Sequence, residues 1–283
     1  MILQLRHILL LMVLAISFQG FGQQDDFVSP EKYTAHNKGK FYFYWGGNRD
    51  YFTKSDIRFQ GDNYDFTLYD VEAQDKPKGW HLDYINPARM TIPQTNLRVG
   101  YFLTDNYNIS LGVDHMKYVM NQDQVVRYSG NYPDRGAYGE AIANDQVLLT
   151  EDFLKFEHTD GLNYINVEFS RVDDLSKYIG INDTDKIQIN LTEGVGVGVL
   201  YPKTNTTLMN KERHDDFHIS GYGLSAKVGL NVTLFKYFFI QTELKGGYIN
   251  MPNVRTTGST ADKASHSFYF AQTVIAFGGI FRI

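Results

Sequence analysis

Apolar and polar residues alternate with a period of two at many points along this chain. In Gly221–Leu234 the even positions read Tyr222, Leu224, Ala226, Val228, Leu230, Val232 and Leu234, and the odd positions read Gly223, Ser225, Lys227, Gly229, Asn231 and Thr233. Residues two apart share a face of an extended chain, so the pattern predicts one strand with unlike faces. The stretch outruns the roughly 5–6 residues of an ordinary strand. Over 107–113, Tyr107, Ile109, Leu111 and Val113 stand against Asn108, Ser110 and Gly112. Over 96–103, Leu97, Val99, Tyr101 and Leu103 oppose Asn96, Arg98, Gly100 and Phe102. An aromatic version near the start sets Phe41, Phe43 and Trp45 against Tyr42, Tyr44 and Gly46. Strands are expected over 40–48, 94–104, 107–119, 162–171, 188–201, 219–234, 238–250 and 267–283.

The connections alternate in length. Thr104-Asp105-Asn106 and Phe235-Lys236-Tyr237 are tight turns, and 172–187 is a mid-length polar turn with Asp173, Asp174, Asp183 and Asp185. The other connections, 49–93, 120–161, 202–218 and 251–266, are long. A further hairpin is expected over 55–70 around Gly61-Asp62-Asn63, and a short helix over 150–156 capped by Thr150. The fold class that follows is all-β: a single antiparallel up-and-down barrel of about eight strands with long loops at one end.

The N-terminus reads as an address. Arg6 precedes the apolar run 8–18 (ILLLMVLAISF), which leads into Gly20-Phe21-Gly22 and then Gln23-Gln24-Asp25-Asp26. This is the layout of a secretory signal peptide, and the run falls short of the roughly 20 residues of a membrane helix. The expected organisation is a signal peptide over 1–22, a lead segment over 23–39 and a barrel over 40–283. No Cys is present, which excludes disulfides, thiolate metal sites, a cysteine nucleophile and a lipidated-Cys anchor. A net charge of −5 gives no nucleic-acid footprint.

Period two is common to soluble and membrane barrels, and three features favour the membrane form. The minor face is rich in Gly and charge. Aromatics such as Tyr107, Tyr201, Phe235, Tyr237 and Tyr269 gather at strand ends, as an interfacial girdle requires. The last strand runs through Phe277 and Phe281 to Ile283. A soluble exported lipocalin-like barrel is the alternative. In these features the chain resembles the small outer-membrane barrels of Gram-negative bacteria, of the outer-membrane protein A and W types and the opacity-type adhesins. The chain ends Phe281-Arg282-Ile283, where that class commonly ends on Phe. The resemblance implies an outer-membrane location and outer-membrane lipid as a partner.

The predicted lumen carries Arg98, Asp114, Glu168, Lys227, Glu243, Lys245 and Arg282. Turn-set registers place Arg98 diagonal to Asp114 and Lys227 opposite Lys245, with Glu243 alongside. An eight-stranded barrel is just wide enough for side chains to fill, so a salt-bridged plug is expected, with Glu243 its most costly member to truncate. Strict parity sets Glu193 on the lipid face, so it belongs at the periplasmic interface or the strand starts later. His218-Ile219-Ser220 and His266-Ser267 are the places where a hydroxyl nucleophile could meet a base, as in lipid A-modifying barrels, and parity points His218 and Ser220 outward. His214, Asp215, Asp216 and His218 form a loop cluster, but two His at i and i+4 converge on a helix and not on a strand, so a solvated loop is expected. No catalytic residue, metal or cofactor is expected. The function expected is that of a non-enzymatic barrel whose extracellular loops meet a ligand or an envelope protein or support envelope integrity. The alternatives are a narrow channel lined by Gly194, Gly196, Gly198, Gly223 and Gly229, a subunit of an envelope or secretion assembly, and a barrel enzyme.

Overall fold

The computed structural model describes residues 36–79, 93–134, 137–211 and 216–283. The expected signal peptide and most of the lead segment lie outside these residues. Among the described residues fifteen strands follow one another: β1 (Lys40–Phe52), β2 (Ser55–Gly61), β3 (Tyr64–Val71), β4 (Ala73–Gln74), β5 (Thr95–Phe102), β6 (Tyr107–Met120), β7 (Val125–Asn131) and β8 (Glu140–Ala143), then β9 (Gln146–Leu148), β10 (Leu154–Asp174), β11 (Ile187–Leu200), β12 (Asn205–Leu208), β13 (Gly221–Leu234), β14 (Phe238–Arg255) and β15 (Lys263–Arg282).

Eight of them form a closed antiparallel ring in the order β1-β5-β6-β10-β11-β13-β14-β15, and β1 pairs with β15 from Lys40↔Arg282 to Phe52↔Phe270. Closure leaves the ring without an unpaired edge, which is what a strand structure in lipid requires. Burial is inverted relative to a soluble protein. Arg98 and Lys245 are 0% exposed, while Leu111 is 60% and Phe277 62% exposed. Lipid is the solvent that makes this arrangement favourable, since a soluble protein rarely leaves so wide an apolar surface uncovered. Among the described residues no helix is long and apolar enough to cross a membrane, and the crossing is made by strands.

Several ring strands are far longer than a crossing needs. β10 has 21 residues, β15 has 20 and β14 has 18, against roughly 9–11 for a tilted membrane strand. The surplus continues beyond the apolar belt at the long-loop end, and the loops pair with it. Lys263–His266 of β15 pair with Ile57–Gln60 of β2, β2 pairs with β3, and β3 with β7. β12 adds to β10 through Leu154↔Leu208. The expected hairpin over 55–70 is thus β2–β3, and it is stitched into the main sheet. Its inward residues Ile57, Phe59, Phe66 and Leu68 join Met116, Tyr118, Phe153, Phe156, Met251 and Phe268 in a buried apolar core. The long loops therefore fold into an extracellular cap with an interior of its own.

One local expectation is corrected, and for Glu193 one of two alternatives is selected. The helix over 150–156 does not form. Thr150 does start a turn, its carbonyl accepting from the backbone N–H groups of Phe153 and Leu154. From Leu154 onward, pairing with β12 and burial of Phe156 favour a strand over the local propensity. Glu193 sits within β11, which starts at Ile187, and faces out opposite Arg171. Arg171 pairs in turn with Tyr107 next to a short turn, which places both charges at the periplasmic interface.

Candidate functional site

Six of the predicted lumen residues meet in one cluster. Glu168 of β10 is its centre. Its Oε1 lies 2.9 Å from Arg98 Nη2 and 2.7 Å from Lys245 Nζ, and its Oε2 lies 2.7 Å from Lys227 Nζ. Asp114 Oδ2 takes a second bond from Lys245 at 2.7 Å, and Glu243 Oε1 takes one from Lys227 at 2.8 Å. Three cations thus meet three anions. Burying ions costs several kcal/mol each, and only close contacts with their remaining hydrogen bonds filled offset that cost. Arg98 shows how they are filled: Nε donates to Tyr44 Oη at 3.0 Å, Nη1 to Ser110 Oγ at 3.1 Å and Nη2 to Asn166 Oδ1 at 2.9 Å.

The strand registers explain the convergence. Asn96 pairs with Asp114 and Arg98 with Gly112, so Arg98 and Asp114 are diagonal neighbours on one face. Lys227 pairs directly with Lys245. The lumen glycines leave room for large neighbours. A Cβ on Gly112 would stand 2.6 Å from the Arg98 guanidinium carbon, and one on Gly223 would stand 2.8 Å from the Tyr164 ring. Of the glycines expected to line a channel, Gly194 is covered by Ser170, Gly196 by Ser225 and Glu168, and Gly223 by Tyr164, all from nearby strands of the ring.

Toward the cap the cluster continues as a polar column. Asn96 Nδ2 donates to Asp114 Oδ1 at 2.7 Å and to Gln272 Oε1 at 3.1 Å, and Gln272 Nε2 donates to Asp50 Oδ1 at 2.9 Å. Tyr44, Asn96, Asn166 and Gln272 were not singled out in the sequence because they carry no charge. Their inward parity was the available signal. Arg282 is corrected: it lies away from the cluster, exposed at the periplasmic mouth, donating to the Lys38 carbonyl at 2.8 Å. As the last residue of β15 it is beyond the packed part of the ring.

The two histidine-serine pairs resolve differently. Ser220 is 1% exposed, so its outward placement is corrected; 216–220 precede β13 and do not follow its alternation. Ser220 Oγ is 3.0 Å from His218 Nε2, but that nitrogen is also 2.7 Å from the Asn253 carbonyl. A carbonyl only accepts, so Nε2 carries the proton there and has no lone pair with which to act as a base toward Ser220. His266 points into the cap core, its Nε2 3.4 Å from His158 Nε2, with Tyr118, Phe156 and Phe268 around it. These histidines lie above the apolar belt. Burial pushes the His266 imidazole down to about 3, and burial followed by repulsion from His266 and His218 holds His158 well below the usual range. Of the predicted loop cluster, His214 and Asp215 lie outside the described residues, and among the described residues no three His, Asp or Glu converge as a metal site.

A closed ring with an apolar exterior, a charged interior and short turns at one end defines an outer-membrane β-barrel protein. No family model and no curated protein matches the sequence. Solved structures similar to it include Ail, the attachment invasion locus protein of Yersinia pestis, with a TM-score of 0.35 and 11% identity over 86% of this chain and 99% of that one. The outer membrane protein OprG of Pseudomonas aeruginosa gives a TM-score of 0.36 and 10% identity over 88% and 99% of the two chains. The outer membrane protease OmpT of Escherichia coli gives 0.35 and 10% over 89% and 100%. These are likenesses of fold; the outer-membrane assignment rests on the inverted burial of the ring.

Proposed function

We propose that this protein is a non-enzymatic outer-membrane barrel whose ion-filled lumen is closed and whose folded cap is a surface for contact with an extracellular ligand or envelope partner. The observation that carries this reading is the cap core. Loops with no role do not need an apolar interior continuous with their scaffold, and long loops on a rigid barrel are where function concentrates. The orientation of His218 Nε2 toward the Asn253 carbonyl favours the non-enzymatic form over a lipid-modifying one.

The test compares cells displaying the whole chain with cells in which 125–148, spanning β7 to β9, is replaced by a short Gly/Ser linker. Heat-modifiable gel mobility checks that both barrels assemble. The reading expects the replacement to reduce cell attachment or to raise envelope leakiness, with no lipid A hydrolysis by either protein. Unchanged attachment and permeability would remove the cap's role, and hydrolysis abolished by Ser220→Ala would replace the reading with an enzymatic one.

A further inference from the structure

Beneath the ion cluster, the periplasmic half of the lumen widens into a vestibule of about 310 Å3. That is at the lower end of the roughly 300–1,000 Å3 of small-molecule sites. Its walls are chemically unlike. On one side Tyr42 packs against Phe102 and Phe239, with ring centroids 5.6 and 6.4 Å apart, giving a continuous aromatic surface. On the other side runs an amide ladder: Gln188 Nε2 donates to Asn190 Oδ1 at 3.0 Å, Asn190 Nδ2 to Asn231 Oδ1 at 3.2 Å, and Asn231 Nδ2 to Gln241 Oε1 at 3.0 Å. Thr233 also donates to Asn231 Oδ1, and Gln241 Nε2 donates to Thr192 and Glu243, so the donors and acceptors to spare lie chiefly on Gln188 and Asn190. The hydroxyl of Ser170, a buried residue on the vestibule wall, has no hydrogen-bond partner among the described residues.

The rim is cationic. Lys40, Lys236 and Arg282 line the mouth. Lys236 is paired with Asp185 at 2.7 Å, whereas Lys40 donates to Asn37 Oδ1 and Arg282 to the Lys38 carbonyl, both neutral acceptors. Lys40 also feels the like charges of Arg282 and Lys236, set against the opposite charge of Asp105. An anion at the mouth would relieve that repulsion.

We infer that the vestibule is a binding site for a small acidic sugar, its ring laid on the Tyr42–Phe102–Phe239 surface, its hydroxyls on the amide ladder and Ser170, and its carboxylate or phosphate between Lys40 and Arg282. Polyhydroxylated rings present apolar C–H faces and polar edges, which match the two walls. The anionic group matches the rim. The site lies on the periplasmic side of the plug and so is separate from the cap surface.

Isothermal titration of the full-length mature barrel in detergent micelles tests this, with glucuronate, glucose 6-phosphate, glucose and inorganic phosphate as probes. At least one of the two acidic sugars should bind, and the one that binds identifies the acid group. Glucose and phosphate alone should bind at least about tenfold more weakly, the equivalent of about 1.4 kcal/mol. Arg282→Gln and Lys40→Gln should each weaken the acidic sugar by about tenfold, and Ser170→Ala by a few-fold. Both cation variants sit at the exposed mouth, and gel mobility checks their assembly. Binding of neither acidic sugar, equal binding of phosphate and the sugar phosphate, or indifference to both cation variants overturns the inference.

Discussion

Lys227 and Lys245 face each other directly across β13 and β14, yet each ammonium reaches for Glu168, whose two carboxylate oxygens lie 2.7 Å from one and 2.7 Å from the other. Two like charges are held side by side in a buried interior because a third strand supplies the anion between them. Arg98 then fills the remaining side of that carboxylate.

This makes Glu168, not Glu243, the most costly lumen residue to truncate. Glu243 holds one of the three cations, and its other donors are Tyr44 and Gln241. Glu168→Gln should destabilise the refolded barrel by about 3–5 kcal/mol, the usual cost of removing one partner of a buried charge group. Glu243→Gln should cost less, and lipid-facing Leu244→Ala less again, because lipid fills the gap. Urea unfolding midpoints in one lipid composition check the order. Glu243→Gln falling below Glu168→Gln would mean that the cluster is centred elsewhere.

Gly112→Ala places a methyl 2.6 Å from the Arg98 guanidinium carbon. Arg98 is fully buried and bonded on every side, so it has nowhere to move. The change should cost about 1–3 kcal/mol, as overpacking does. Gly258→Ala, with nothing within 4 Å of the added methyl, is the control and should stay within about 0.5 kcal/mol of wild type. The same urea titrations read both.

The cap should loosen in acid before the barrel does. His158 and His266 are held neutral in the folded cap, with pKa values below the ordinary 6.5. The unfolded cap therefore binds more protons than the folded one below that value. Their contribution to stability is intact above about pH 6.5 and is lost as pH falls toward the folded values. Limited proteolysis of the reconstituted protein should show cap cleavage accelerating as pH falls through about 6 to 4.5. His266→Phe, which keeps a ring among Tyr118, Phe156 and Phe268, should make that pH dependence shallower. An identical pH profile in the variant would show that other groups control the opening.

Much of the ring was legible in the sequence because lipid imposes strict alternation: a residue such as Leu224 or Lys227 has one permitted face. The charged lumen residues followed from that parity and the two tight turns. Arg282 shares the parity, but alternation says nothing of depth along the barrel axis, so its place at the mouth was hidden. The cap was less legible. Its hairpin showed in Gly61-Asp62-Asn63, but the meeting of His158 with His266 joins residues more than a hundred positions apart, through pairings that no local pattern encodes. At Thr150 the local signal was real and was overridden by the strand partner of Leu154. Tyr44 stood in the alternation of the first strand with no charge to mark it, although its hydroxyl binds both Arg98 and Glu243.

The closed lumen is the centre of this account, and planar-bilayer recording of the purified, heat-modifiable barrel tests it most directly. The ion cluster and the covered lumen glycines predict a flat current with no discrete steps at either polarity. Well-resolved, reproducible conductance steps from the wild-type protein, altered in size by Glu168→Gln, would contradict it and establish an open path through the cluster.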